Sequence, residues 1–215
     1  MLHIVPNIGG PVNYLEVLQP ETELENILLH DPEFTEGLSW GLPRYGHPEG
    51  EIYKHILEVL DNINQIGVQG TEREQLRLAA FVHDSFKHKE SRGTPRDWSR
   101  HHSVLARQFI ERYTSDPTVL EIIELHDEAY YAWRMEFLYR EAVPGRIRLN
   151  ALLERVENFL QLYYLFFKCD TRTGDKTQAP LQWFERELPQ LAVVNFPDTP
   201  RPTPDIIHPP RQFLL

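Results

Sequence analysis

From Ile52 to about Leu188 the apolar residues return at steps of three and four, and they almost nowhere alternate with polar ones. That spacing lays them along one stripe of an α-helix, so the chain must bury helix against helix and a sheet architecture is excluded. Ile52, Ile56, Val59, Leu60 and Ile63 mark one helix, with Gly67 as its stop. Thr71 and Glu74 form a capping-box signature ahead of Leu76, Ala79 and Ala80, and that pattern runs to about Phe86. Lys87 to Arg100 is a polar loop. Ser99 is placed to cap a helix carrying Leu105, Phe109, Ile110 and Tyr113. Asp116-Pro117 is a cap followed by proline at the first helical position, and it opens Val119, Ile122, Ile123 and His126. The spacing predicts one long helix from about Arg146 to Asp170, then a shorter one from about Ala179 to Leu188.

The two ends read differently. Residues 1–20 carry Gly9-Gly10 and three prolines and are expected to be irregular. Glu21 to His30 suits a short helix ended by Asp31-Pro32, and Gly37 to Gly50 (GLSWGLPRYGHPEG) suits a loop. The last 27 residues hold seven of the 17 prolines, as an extended arm or a disordered end would. The expected organisation is an N-terminal extension over 1–43, a helical domain over 44–190 and a proline-rich tail over 191–215. With 41% apolar and 25% charged residues, the chain can bury a single core. The one cysteine, Cys169, excludes an internal disulfide framework and any CxxC zinc module, and it points to a reduced, cytoplasmic setting. No secretory leader is evident, and no apolar run reaches the roughly 18 residues of a membrane span. A formal charge of −10 argues against a general nucleic-acid binder.

Polar residues on faces that should be buried carry the functional signal. His55 lies three residues after Ile52 and four before Val59; His83 follows Ala79 and Ala80 by four and three, with Asp84 beside it. His126 follows Ile122 and Ile123 in the same way, and Asp170 continues the stripe of Leu149, Leu152, Val156, Tyr163 and Phe167. One buried histidine is ordinarily a hydrogen-bonded core residue. Of the His-Asp doublets, His30-Asp31 reads as a helix cap and His126-Asp127 as split, with Asp127 toward solvent. Only His83-Asp84 stands deep in an apolar helix (LRLAAFVHDSFK). Two carboxylates and several imidazoles inside one bundle would be destabilising if uncompensated. A divalent metal resolves this, since it takes neutral imidazole nitrogen and carboxylate oxygen as ligands.

The order His55, His83-Asp84, Asp170 resembles the HD-domain metal-dependent phosphohydrolase superfamily. GHPEGEIYKHILEVLDNI is similar to the entry helix of the HD domains of bacterial CCA-adding tRNA nucleotidyltransferases, and LRLAAFVHDSFKHK to their His-Asp helix with its trailing lysine, here Lys87. HHSVLARQFIERY and EIIELHDEAY resemble the further histidine segments of two-metal members. The resemblance covers roughly residues 44–175. No nucleotidyltransferase domain is evident ahead of it, so tRNA processing is not expected.

The resemblance implies an all-α bundle of five or more helices with metal at its centre. Its ligands would be His55, His83, Asp84 and Asp170, with His102 and His126 in the second-metal positions and Asp84 as the bridge. His102 is preferred to His101 by its spacing to Leu105 and Phe109. The family carries a further histidine where this chain has Asp127, which leaves one ion or two open. Mixed imidazole and carboxylate ligands suit Mn, Fe, Co, Ni or Zn. Asp84 would also take a proton from water, and Lys87 would contact phosphate. Lys87, Lys89, Arg92, Arg96 and Arg100 make a local basic stretch despite the acidic total, so Arg92, Arg96 and Arg100 are candidate lid residues over an anionic substrate. A solvated loop is the equal alternative for that stretch. By the same resemblance the loop from Trp40 to Gly50 would form a substrate-side wall; His47 is expected instead to cap a helix or pair with Glu49, and Cys169 has no base partner to make it a nucleophile.

The expected function is hydrolysis of a nucleotide or another small phosphate ester by metal-activated water. The alternatives are an HD-type di-iron oxygenase and a non-catalytic regulatory binder on the same fold. Neither a monomer nor a homo-oligomer is excluded.

Overall fold

Helix after helix is closed by its own local chemistry in the computed structural model, which describes residues 12–91 and 93–197. The elements are α1 (Tyr14–Leu18), α2 (Glu23–Leu28), α3 (Pro32–Leu38), α4 (Ile52–Ile66), α5 (Gly70–Val82), α6 (His102–Ile110), α7 (Pro117–Leu125), α8 (Glu128–Trp133), α9 (Ala142–Val156), α10 (Leu160–Thr171) and α11 (Ala179–Glu187). Asp31 and Asp116 each accept from backbone N–H groups of the first turn, with Pro32 and Pro117 in that turn, so α3 and α7 start where proline costs nothing. Gly67 ends α4 at φ +70°, a conformation glycine adopts without strain. The described residues hold no strand, only an isolated bridge between Arg44 and His47 in the loop before α4.

α4, α5 and α10 pack on one another, and α7 closes against α5. Ile56, Val59 and Ile63 of α4, Ala79 and Ala80 of α5, Ile122 and Ile123 of α7, and Tyr163 and Phe166 of α10 are fully buried between them. The α6–α7 pair and the α8–α9 pair flank this centre, and α11 lies against α8 and α10. No helix among the described residues is long and apolar enough to cross a membrane. The all-α bundle is as the sequence implies.

Several expectations are corrected. The helix expected from Arg146 to Asp170 is two helices: a 3-10 turn over Glu157–Phe159 separates α9 from α10, and Phe159 (φ −141°) leaves the helical region. The expected stripe runs through this break in phase, so periodicity alone cannot register it. α5 begins at Gly70, which places Thr71 inside the helix instead of at its cap. Ser99 lies in a 3-10 turn (Trp98–Arg100) capped by Asp97, and His101 caps α6 by accepting from Ser103 N. α1 lies within the segment expected to be irregular, and α3 and α8, the latter continuing as a π-helical turn over Arg134–Leu138, are further elements. Of the proline-rich tail, residues 198–215 lie outside the described residues, as do residues 1–11 of the N-terminal segment.

Candidate metal centre

Most of the candidate ligands stand at helix ends. His83 is the residue at which α5 closes and Asp84 the next, so the doublet ends its helix instead of lying deep inside it. His102 is the first residue of α6. His126 closes α7 and Asp127 opens α8. Successive residues of a regular helix point about 100° apart, so a doublet aimed at one point needs the backbone to turn there. His55, one turn into α4, and Asp170, near the end of α10, complete the set from two further helices.

The side chains meet in two groups that share Asp84. In the first, His55 Nε2 lies 2.9 Å from Asp170 Oδ1, 3.3 Å from His83 Nε2 and 3.5 Å from Asp84 Oδ2. His83 Nε2 lies 3.6 Å from Asp84 Oδ2 and 3.8 Å from Asp170 Oδ1. In the second, Asp84 Oδ1 lies 3.3 Å from His102 Nε2 and 3.4 Å from His126 Nε2, which are 3.3 Å from each other. Asp127 Oδ2 completes it at 3.4 Å from His102 Nε2 and 3.6 Å from His126 Nε2. An ion bound at about 2.0–2.2 Å holds its ligand atoms roughly 3–3.5 Å apart, close to the 2.9–3.8 Å that separates them in the two groups. His55, His83, Asp84, His102 and His126 are all buried.

The outer nitrogens of three of the four rings are engaged from behind. His83 Nδ1 is 3.0 Å from the Ala80 carbonyl and His126 Nδ1 2.8 Å from that of Ile123. His102 Nδ1 is 2.9 Å from Glu90 Oε2. His55 Nδ1 is 3.3 Å from Glu49 Oε1, near enough for charge but outside hydrogen-bond geometry, while His47 Nδ1 makes the 3.0 Å bond to that oxygen. Acceptors behind the rings place the proton on Nδ1 and leave Nε2 as a lone pair facing inward. With neutral rings, the lone pairs of His102 and His126 then oppose one another, and Asp84 Oδ1 is buried without a hydrogen-bond partner. This arrangement calls for positive charge at its centre, and the donor set fits a divalent transition metal.

Without an ion, a proton on His126 meets that demand. Burial pushes His126 down, but the Asp127 and Asp84 carboxylates outweigh it and raise the ring to about 9. Burial holds His83 neutral, down to about 3. Burial would raise Asp84 and Asp170, yet Lys87 and His83 beside the one, and Lys176 and His55 beside the other, hold both well below the usual carboxylate range.

Both groups open onto a cavity of about 230 Å³ lined by Tyr45, His47, Lys87, Tyr130, Phe167 and Lys176 among others. Lys87 Nζ donates to Asp84 Oδ2, and Lys176 Nζ donates to Asp170 Oδ1 at 2.9 Å. Arg96 does not line this cavity: it pairs with Glu90 and stacks over Trp98, with 4.7 Å to the ring centroid. Arg100 is exposed and also outside the cavity lining, and Arg92 lies outside the described residues. His101 turns away to Ser103 Oγ and Tyr131 Oη. Cys169 is buried with its thiol pushed up by that burial, which removes it as a nucleophile.

Sequence reasoning missed Asp127 and Lys176. The signal for Asp127 was available, because His126-Asp127 repeats the doublet of His83-Asp84 and each closes a helix. Nothing in the local pattern TRTGDKT marks Lys176.

Residues 52–156 match the HD domain family. No match was found among curated proteins or among solved structures. The matched segment contains His55, His83-Asp84, His102 and His126-Asp127, while Asp170 reaches the same centre from beyond it. With the family match and the all-helical centre built on the His-Asp doublet, residues 52–156 of this chain form an HD domain.

Proposed function

We propose that this protein is a metal-dependent phosphohydrolase acting on a small phosphate ester, such as a nucleotide. The observation that carries it is the convergence of inward-facing histidine nitrogens and aspartate oxygens on the two sides of Asp84, beside a cavity that also holds two ammonium groups. His55, His83, Asp84 and Asp170 would hold one ion, and Asp84, His102, His126 and Asp127 a second. A divalent ion bound there supplies hydroxide near neutral pH and a Lewis acid for a phosphoryl oxygen.

The chain's own residues do the rest. Asp84, with one oxygen toward each group, fixes their separation. Asp127 Oδ2 belongs to the most accessible of the three aspartates, at 25% exposed against 13% for Asp170 and 2% for Asp84. It is therefore the carboxylate placed to accept a hydrogen bond from the attacking water and orient it. Asp84, given the proton-accepting role in the sequence expectation, has Oδ2 on Lys87 and Oδ1 between two imidazoles, so its part is structural to the centre. Lys87 Nζ reaches into the cavity and supplies charge for a phosphoryl oxygen. Phe167 and Pro180 form the apolar part of the wall and limit water.

The test is elemental analysis of the purified protein, with a panel of phosphate esters in Mn, Co, Ni and Mg, repeated on Asp84→Ala. Bound metal and hydrolysis that falls to background in the variant are expected. Hydrolysis unchanged by Asp84→Ala overturns the proposal. Oxygen uptake by the iron-loaded protein without phosphate release replaces it with an oxidative one.

A further inference from the structure

Lys176 is held where it is by two loops. Its own loop, residues 172–178, follows α10 and faces the loop of residues 41–50 across the cavity mouth. Asp175 Oδ1 accepts from Gly46 N at 2.6 Å, and Glu58 Oε2 accepts from Gly174 N at 2.6 Å. Gln178 Nε2 donates to the Thr171 and Lys176 carbonyls at 2.9 and 3.0 Å, drawing the loop back on α10. Gly174 sits at φ +53°, and a Cβ there would come within 2.7 Å of Pro48 Cδ. The loops therefore pack closely against each other at a position only glycine fits.

The result is an ammonium fixed on the rim. Lys176 Nζ donates to Asp170 Oδ1 at 2.9 Å and to the Asp170 carbonyl at 3.2 Å, and its side chain is 20% exposed. Lys87, 16% exposed, lines the same cavity from the other carboxylate, Asp84. Among the described residues no arginine lines that cavity, and Lys87 and Lys176 are its two ammonium groups. An ammonium is a compact point charge with three donors, so one bond to a carboxylate leaves donors for a second anion.

We propose that Lys176 and Lys87 form a two-ammonium clamp that receives the terminal phosphoryl group of the substrate, and that the clamp selects a phosphomonoester dianion over a phosphodiester. This rests on the phosphohydrolase reading above and narrows its substrate class. A monoester presents two charges and three unsubstituted oxygens, enough for both ammonium groups. A diester presents one charge and two such oxygens, and its second substituent must pass between the lysines.

The experiment compares the full-length, metal-loaded protein with Lys176→Gln and Lys176→Arg. Inorganic phosphate binding is followed by calorimetry, metal content by elemental analysis, and turnover with para-nitrophenyl phosphate and bis-para-nitrophenyl phosphate. Loss of a charge-assisted hydrogen bond predicts about tenfold weaker phosphate binding in Lys176→Gln. A similar rise in KM for the monoester, unchanged metal content and partial recovery in Lys176→Arg are expected with it. The wild-type preference for the monoester should narrow in the same variant. Unchanged phosphate affinity and an unchanged ratio of the two substrates in Lys176→Gln overturn the clamp while hydrolysis itself stands. Loss of metal along with phosphate binding assigns Lys176 a purely supporting role on Asp170 and also overturns it. A wild-type protein that takes up no metal and hydrolyses neither ester fails the phosphohydrolase reading instead.

Discussion

His102 Nε2 lies 3.3 Å from His126 Nε2, with His102 tied to Glu90 through its outer nitrogen and His126 to the Ile123 carbonyl. A backbone carbonyl cannot be removed by substitution, but Glu90 can. Outer partners of ligating histidines are worth roughly 10–100-fold in metal affinity. Glu90→Gln is expected to weaken the second ion by about that factor and to leave the first untouched. Competitive titration with a chromogenic chelator would resolve the two affinities. Equal loss at both, or at neither, counts against Glu90 as the support of His102.

The shared carboxylate predicts a division of labour among the three aspartates. Asp170 touches only the first group and Asp127 only the second. Asp170→Asn should therefore bind one ion through Asp84, His102, His126 and Asp127, and Asp127→Asn one ion through the first group. Asp84→Asn should bind neither tightly. The stoichiometries follow from elemental analysis after dialysis. A single-site result for Asp84→Asn would remove its bridging position.

Metal uptake should depend on pH through His126. Its carboxylate neighbours raise it to about 9 against burial, so at pH 7 a metal ion must displace a proton there. His83, pushed down to about 3, carries none to displace. Affinity of the second group should rise up to about tenfold per pH unit between 7 and 9 and then level off. For chelator-treated protein the sign reverses. A histidine raised above its ordinary 6.5 contributes stability that is full below that value and is lost as pH rises through about 9. In the metal-loaded protein the rise in affinity offsets that loss, so between pH 6.5 and 9 its melting temperature should hold nearly level while that of the chelator-treated protein falls; parallel curves would contradict the assignment.

The helical class and most of the centre were legible because both are written in spacing. His55, His83 and His126 sit three or four residues from buried aliphatics, and Asp84 is covalently tied to one of them. What spacing could not carry is the direction of the chain where a helix stops. Asp127 reads as solvent-facing on a continued helix, yet α7 ends at His126 and turns the next side chain inward. The break at Glu157–Phe159 is hidden for the related reason that the stripe stays in phase across it. The latch between Asp175, next to Lys176, and Gly46 joins residues 129 apart in the chain, and no local pattern encodes it.

Away from the centre, Arg77 of α5 donates to both carboxylate oxygens of Glu25 at 2.9 Å, and both residues are buried, at 3% and 0% exposed. Removing one partner strands the other charge, at a cost of about 3–5 kcal/mol. Arg77→Met should lose stability on that scale in urea unfolding. The double variant Glu25→Met, Arg77→Met should recover most of it, since no charge is then left unpaired. A double variant no more stable than the single would show that packing, not the stranded carboxylate, sets the cost.

Gly37 ties that remote half of the fold to the metal centre. A Cβ at this position of α3 would stand 1.8 Å from the Ser85 carbonyl oxygen, and Ser85 directly follows Asp84. Backbone oxygen cannot swing aside as a flexible side chain can, so Gly37→Ala must push α3 off the turn that closes α5. Overpacking of this kind costs about 1–3 kcal/mol. The displacement falls on the same turn that aims His83 and Asp84 inward, so metal affinity should drop together with stability. Thr35→Ala, on the same helix but half-buried and bonded only to the Asp31 and Pro32 carbonyls, should lose some stability and keep its metal. Metal content and urea midpoints of the two variants decide the matter: a Gly37→Ala protein that is destabilised but binds metal as the wild type does would uncouple α3 from the orientation of the doublet.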